Sequence, residues 1–127
     1  MYIADGKTNG PAFSWPDGKR IAVMVTFDYD AEFLRISRAK SKGTSIGFTD
    51  FSRGQYGPHE GLARCLDMLD TMNIKSTFFV PGAVIETYRD TVEEIHRRGH
   101  ELACHGYRHE SDPELSRNEM IKILDKS

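Results

Sequence analysis

The sequence carries no excess of charge of either sign: 17 Lys and Arg stand against 19 Asp and Glu, a formal net charge of −2 over 127 residues. Without a basic surplus there is no electrostatic footprint for nucleic acid or an anionic membrane surface, and no acidic surplus calls for a basic partner. Cysteine is scarce as well. Cys65 and Cys104 are the only two, and no CxxC spacing links them, which excludes a disulfide framework and fits reduced thiols in a reducing compartment. Long apolar runs are missing too, since Ile21–Val25 and Phe78–Pro81 fall far short of the ~20 residues a membrane span requires. Met1 to Trp15 is polar and lacks the apolar stretch of an export signal, so a cytoplasmic location is expected. With 39% hydrophobic and 28% charged residues and no repeats, the composition is that of one folded domain over residues 1–127.

Ile21 to Val25 with Phe27 is a β-branched apolar run that reads as a strand buried on both faces, as in a parallel sheet. Arg35 to Gly57 is rich in Ser, Gly, Lys and Arg and reads as a long active-site loop. From Pro58 to Met72, Leu62, Cys65, Leu66 and Leu69 recur at helical intervals, with Asn73 as the expected C-cap. A second strand, Ser76 to Val80, is stopped by Pro81-Gly82, and Val84–Tyr88 and Thr91–Arg98 are helical before Gly99. The third strand is Glu101–Cys104, and Ser116-Arg117-Asn118-Glu119 is a capping box opening a last helix. Strand and helix alternate throughout, which predicts a parallel α/β fold.

Two constellations carry chemistry. Asp28 and Asp30 flank Tyr29 at the C-terminal end of the first strand, the end of a parallel sheet where ligands bind. Carboxylates so close repel and are partly desolvated, so a metal or an Arg is expected to neutralise one, a solvated pair being the plain alternative. His105 and His109 follow the third strand directly. If that segment turns helical, a four-residue offset puts both imidazoles on one face; chance surface histidines are the alternative. A zincin motif is excluded because residue 106 is Gly. Parallel topology brings all strand ends to one rim, where one Asp and two His suffice for a catalytic zinc and the other Asp serves as general base. His59, His96 and His100 are expected in surface or structural roles, Cys65 in the core, and Cys104 as a small buried hydrophobe facing away from His105.

Thr26-Phe27-Asp28-Tyr29-Asp30 and His105-Gly106-Tyr107-Arg108-His109 resemble the first two motifs of the polysaccharide deacetylase family. The intervening Tyr29 departs from that family's main pattern and is similar to its peptidoglycan-deacetylase-like and cyclic-imide-hydrolase-like subgroup, as is the run Asp28 to Glu32. Ser52 to Gly57, Lys75 to Gly82 and Gly99-His100-Glu101 extend the likeness over about residues 13 to 115. The resemblance implies the N-terminal part of a distorted (β/α) barrel. It implies metal ligation by Asp30, His105 and His109, with Asp28 as base. Arg53 would pair with Asp28 or orient the substrate, a solvated charge being the alternative, and Glu32 and Tyr107 are candidate substrate-binding residues that equally suit packing roles. The donor set suits Zn2+ first, with Co2+, Mn2+, Ni2+ or Fe2+ also compatible.

Such barrels run to ~250 residues, and the strands read here number three. The expectation is therefore a truncated or split catalytic domain, completed by a complementary chain or by oligomerisation. The expected activity is metal-dependent hydrolysis of a non-peptide carbon–nitrogen bond in a small amide, cyclic imide or N-acetylated sugar. One rival is a metal-binding subunit inactive alone. The other is an Asp-nucleophile phosphatase of the haloacid-dehalogenase type, which leaves His105 and His109 without a role.

Overall fold

Three short strands, β1 (Thr26–Asp28), β2 (Thr77–Val80) and β3 (Glu101–Cys104), form a parallel sheet in chain order in the computed structural model, which describes residues 15–110 and 115–127. Thr26, Thr77 and Glu101 share one register row; Asp28, Phe79 and Ala103 share another. Among the described residues six α-helices connect and flank the strands: α1 (Phe33–Ser41), α2 (Phe48–Tyr56), α3 (Leu62–Thr71), α4 (Gly82–Thr87), α5 (Arg89–Arg97) and α6 (Arg117–Leu124). None of the helices among the described residues is long and apolar enough to cross a membrane. The segment on which the absence of an export signal was read falls largely in residues 1–14, outside the described residues.

Alternation along the strands divides the sheet into two faces. Phe27, Tyr29, Phe78 and Val80 point toward the helices, where they join Leu62, Leu66 and Leu69 of α3, Val84 of α4, and Val92 and Ile95 of α5 in one core cluster. Phe27 stacks on Phe78 with ring centroids 4.9 Å apart. The opposite face carries Thr26, Asp28, Thr77, Phe79 and Ala103.

The helices feeding β2 and β3 end the same way. After α3, the Asn73 amide donates to Asp70 and the Ile74 amide to Leu69. After α5, the Gly99 amide donates to His96 and the His100 amide to Ile95. Both are Schellman caps, and the left-handed residue each needs is Asn73 (φ 51°) or Gly99 (φ 77°).

Several sequence expectations need correction. The first strand is not buried on both faces from Ile21: it begins at Thr26, and Ile21, Val23 and Met24 are 74%, 80% and 88% exposed. β1 is an edge strand and β2 starts only at Thr77, whose amide reaches back no further than the Val25 carbonyl at 3.3 Å. Arg35 to Gly57 is not a loop but mostly helix, α1 and α2, and α2 continues through a π-helical turn, Gly57–Gly61, into α3. Pro58 cannot donate a backbone hydrogen bond, and the wider turn absorbs that loss inside a continuous helical run. Cys104 is exposed rather than buried because β3 is the other edge, and Cys65 is only half-buried. The capping box at Ser116 and Glu119 forms as read, with both reciprocal hydrogen bonds.

Candidate metal centre

The site is built where β1 and β3 end. The Tyr29 amide donates to the Phe79 carbonyl at 2.8 Å, extending the parallel ladder one residue beyond β1. Alternation then sends Tyr29 into the core, where its hydroxyl meets Thr91 Oγ1 at 2.8 Å, and leaves Asp28 and Asp30 on the opposite face. Burial pushes the Tyr29 phenol up to about 12. The extra residue between the two acids is therefore a core anchor.

After Asp30 the chain turns sharply through Ala31, whose φ is 49°. The Phe33 amide at the start of α1 donates back to the Asp30 carbonyl at 3.0 Å. At the other edge the segment after β3 is not helical, contrary to the conditional expectation: Gly106 (φ 71°) and His109 (φ 58°) both take left-handed conformations. The Glu110 carboxylate holds this turn by accepting from the amides of Tyr107 (3.1 Å) and Arg108 (2.9 Å). The two imidazoles meet edge to face, with centroids 4.8 Å apart.

Asp30, His105 and His109 converge, their donor atoms all within 4.8 Å of one another. His105 Nε2 lies 3.5 Å from Asp30 Oδ1, and His109 Nε2 lies 3.8 Å from Asp30 Oδ2. These gaps exceed the ~2.7–2.9 Å of a charge-assisted hydrogen bond. They approach the ~3.4 Å that separates two donors placed tetrahedrally at ~2.1 Å from a shared ion. Asp30 Oδ1 and His105 Nε2 are also buried with no hydrogen-bond partner among the described residues. Buried polar atoms are nearly always satisfied, so this donor set fits a divalent cation. Burial raises the Asp30 pKa; His109 and His105 oppose the rise, Asp28 adds to it, and Arg38 opposes it.

The other sequence candidates sit around this cluster in different settings. Asp28 is exposed at the rim, outside the three-residue cluster. Arg53 pairs with Asp50 at 3.8 Å on the exposed side of α2, not with Asp28, among the described residues. Glu32 is 5% exposed, and both its carboxylate oxygens accept from the Tyr88 hydroxyl. Tyr107 is buried as well, donating to Glu86 and accepting from Lys126, each at 2.8 Å. Both are thus engaged with other side chains. Sequence reasoning missed Arg38, whose charge acts on Asp30, as well as Ser37 and Glu110, which hold the His109 turn. Ser37 and Arg38 lay in the stretch read as a loop, and a carboxylate that accepts backbone amides leaves no pattern in sequence.

Comparison with known proteins gives this geometry a context. The chain is 32% identical over 110 residues to a peptidoglycan deacetylase-like protein of Gibberella zeae, covering 85% of this chain and 32% of that one. It is 33% identical over 109 residues to a peptidoglycan deacetylase of Helicobacter pylori, covering 86% and 36%. The chain thus spans about a third of the length of these curated relatives. A crystal structure described as a polysaccharide deacetylase from Mycobacterium smegmatis matches with a TM-score of 0.78 and 40% identity, over 92% of this chain and 41% of that one. Its likeness shows the parallel α/β fold of the deacetylase barrel, of which the described residues hold three strands. The family model for polysaccharide deacetylases matches residues 16–127, which takes in both strand-end motifs and every described element from β1 to α6, and the chain belongs to that family.

Proposed function

We propose that the chain carries the metal-binding and proton-accepting part of a hydrolase that cleaves a non-peptide carbon–nitrogen bond. The substrate is an N-acetylated amino sugar or a small amide or cyclic imide. The observation that carries this reading is the convergence of Asp30, His105 and His109 with two buried donor atoms left unsatisfied. Relatives named for peptidoglycan deacetylation support the choice of an acyl–nitrogen bond. A divalent ion, Zn2+ by donor type, supplies Lewis-acid polarisation of the carbonyl and a lowered water pKa when bound.

Asp30 and the two imidazoles hold that ion. Asp28 lies two residues before Asp30, on the same face and open to solvent, where it accepts the proton of the attacking water. Arg38 favours the ionised form of Asp30. Phe79, with its ring 6.2 Å from that of His105, walls the site on the β2 side.

A second reading has support of its own: a metal-binding chain whose turnover needs a complementary partner. The exposure of Ile21, Val23 and Met24 beside β1, and of Leu102 on β3, favours it. Native mass spectrometry of the zinc-treated chain, together with hydrolysis assays on chito-oligosaccharides and a cyclic imide, tests both. His105→Ala or His109→Ala is expected to weaken zinc binding by at least about 100-fold, since even residues behind the ligands count for 10–100-fold. Asp28→Asn is expected to keep the ion and lose turnover. Full zinc occupancy in a His105→Ala/His109→Ala double variant overturns the site, and metal binding without turnover in the unmodified chain favours the second reading.

A further inference from the structure

We infer that Ser37 is a positioning residue for His109, acting through the backbone of that ligand rather than through its imidazole; this rests on the metal site proposed above. Helix α1 touches the backbone of two of the three cluster residues. At its start the Phe33 amide donates to the Asp30 carbonyl at 3.0 Å. One turn further on, the Ser37 hydroxyl donates to the carbonyl of His109 at 2.7 Å, across 72 residues of sequence. A single rigid element therefore sets the spacing between a carboxylate that follows β1 and an imidazole that follows β3.

His109 needs such a hold. Its φ of 58° is a conformation that costs a non-glycine residue of order 1–3 kcal/mol and persists only where the surroundings over-determine it. Glu110 fixes the turn ahead of it by accepting the amides of Tyr107 and Arg108, but neither of those bonds falls on the His109 carbonyl. The Ser37 bond falls on that carbonyl, and so on the peptide plane after His109. Among the described residues it is the hydrogen bond that fixes this plane, and loosening the plane loosens the imidazole with it. Since His109 Nε2 already stands 3.8 Å from Asp30 Oδ2, further from Asp30 than His105 Nε2 at 3.5 Å, drift on this side erodes the set first.

The position of Ser37 also separates this role from general helix packing. It lines a cavity of about 320 Å³ together with Phe33, Ile36, Lys40 and Ser41, and its hydroxyl is given to the His109 carbonyl rather than to its own helix. Ser41, one turn along α1, lines the same cavity but gives its hydroxyl to Arg38 of its own helix at 3.0 Å. It is the matched control.

The test uses the 127-residue chain and zinc alone, with affinity read by competition against a chromophoric chelator and ligand geometry by the visible spectrum of the Co2+-loaded chain. Ser37→Ala is expected to weaken zinc roughly 10-fold or more, within the 10–100-fold range of groups that orient a ligand, with one ion still bound at saturation and a changed Co2+ spectrum. Ser37→Thr, which keeps the donor, is expected to restore the affinity to within about threefold, well inside that range. Ser41→Ala is expected to match the unmodified chain. Zinc binding by Ser37→Ala equal to that of the unmodified chain overturns the inference alone, as does an equal loss in Ser41→Ala. An unmodified chain that takes up no zinc overturns the metal site and the inference together.

Discussion

Buried just before β3, His100 accepts a hydrogen bond from the Ser76 amide at Nδ1 (3.3 Å) and packs edge-on against Phe78. Burial holds its pKa below the ordinary value; Lys75 and Arg98 add to that, and Asp70 opposes it. The unfolded chain therefore takes up the proton first as the pH falls, so the folded state gains stability above a pH of about 6.5 and loses it below. Protonation also removes the acceptor at Nδ1 that the Ser76 amide uses. His100→Asn keeps an acceptor and cannot titrate. The expected outcome is a smaller drop in melting temperature between pH 7.5 and pH 5.5 for His100→Asn than for the unmodified chain, and equal drops would remove His100 as the cause. At this scale the convergence of Asp30, His105 and His109 was readable, because parallel strands bring their ends to one rim. Ser37 and Glu110 were not readable, since a side chain that bonds to a distant backbone has no spacing or composition to betray it.

Among the elements, α2 makes one especially close approach at Gly54. A Cβ on Gly54 would lie 2.4 Å from the Cα of Glu32, and backbone on both sides cannot step aside. Gly54→Ala is thus expected to destabilise the chain by about 1–3 kcal/mol, the usual cost of overpacking. Gly57→Ala meets nothing closer than 4.0 Å in a helical conformation and is expected to be neutral or stabilising by up to about 1 kcal/mol. Paired chemical denaturation curves check the contrast. The same contact explains why α1 and α2 read as a loop. Ser, Thr and Gly have little local drive toward helix, and in α2 the order comes from tertiary links such as Gly54 on Glu32 and Arg35 on Asp50. β2, β3 and α6 announce themselves locally, through an apolar run stopped by Pro81-Gly82 and through the box at Ser116. Ile21 to Val25 misled for the opposite reason. An apolar run states a preference for burial, and only a neighbouring strand can grant it.

Across the whole molecule, the proposed ligands lie at the ends of the two outer strands, with β2 between them. An ion held there ties one edge of the sheet to the other. Zinc at 100 times its dissociation constant is expected to add about 2.7 kcal/mol to the stability of the chain. Melting curves with zinc and with chelator should differ by several degrees, and His105→Ala should abolish the difference. A chain melting at the same temperature in both conditions would count against an ion spanning the sheet.

The left-handed backbone at His109 also narrows what evolution or design can place there. Histidine, asparagine and aspartate are the side-chain-bearing residues that enter this region most readily. Histidine and aspartate are the two of these three that commonly bind transition-metal ions. An exchange of imidazole for carboxylate at this position therefore leaves the chain path largely undisturbed while shifting the preference from borderline ions toward harder ones such as Mn2+. Metal preference at the proposed site is thus open to change by one codon, without remodelling the turn that presents the donor.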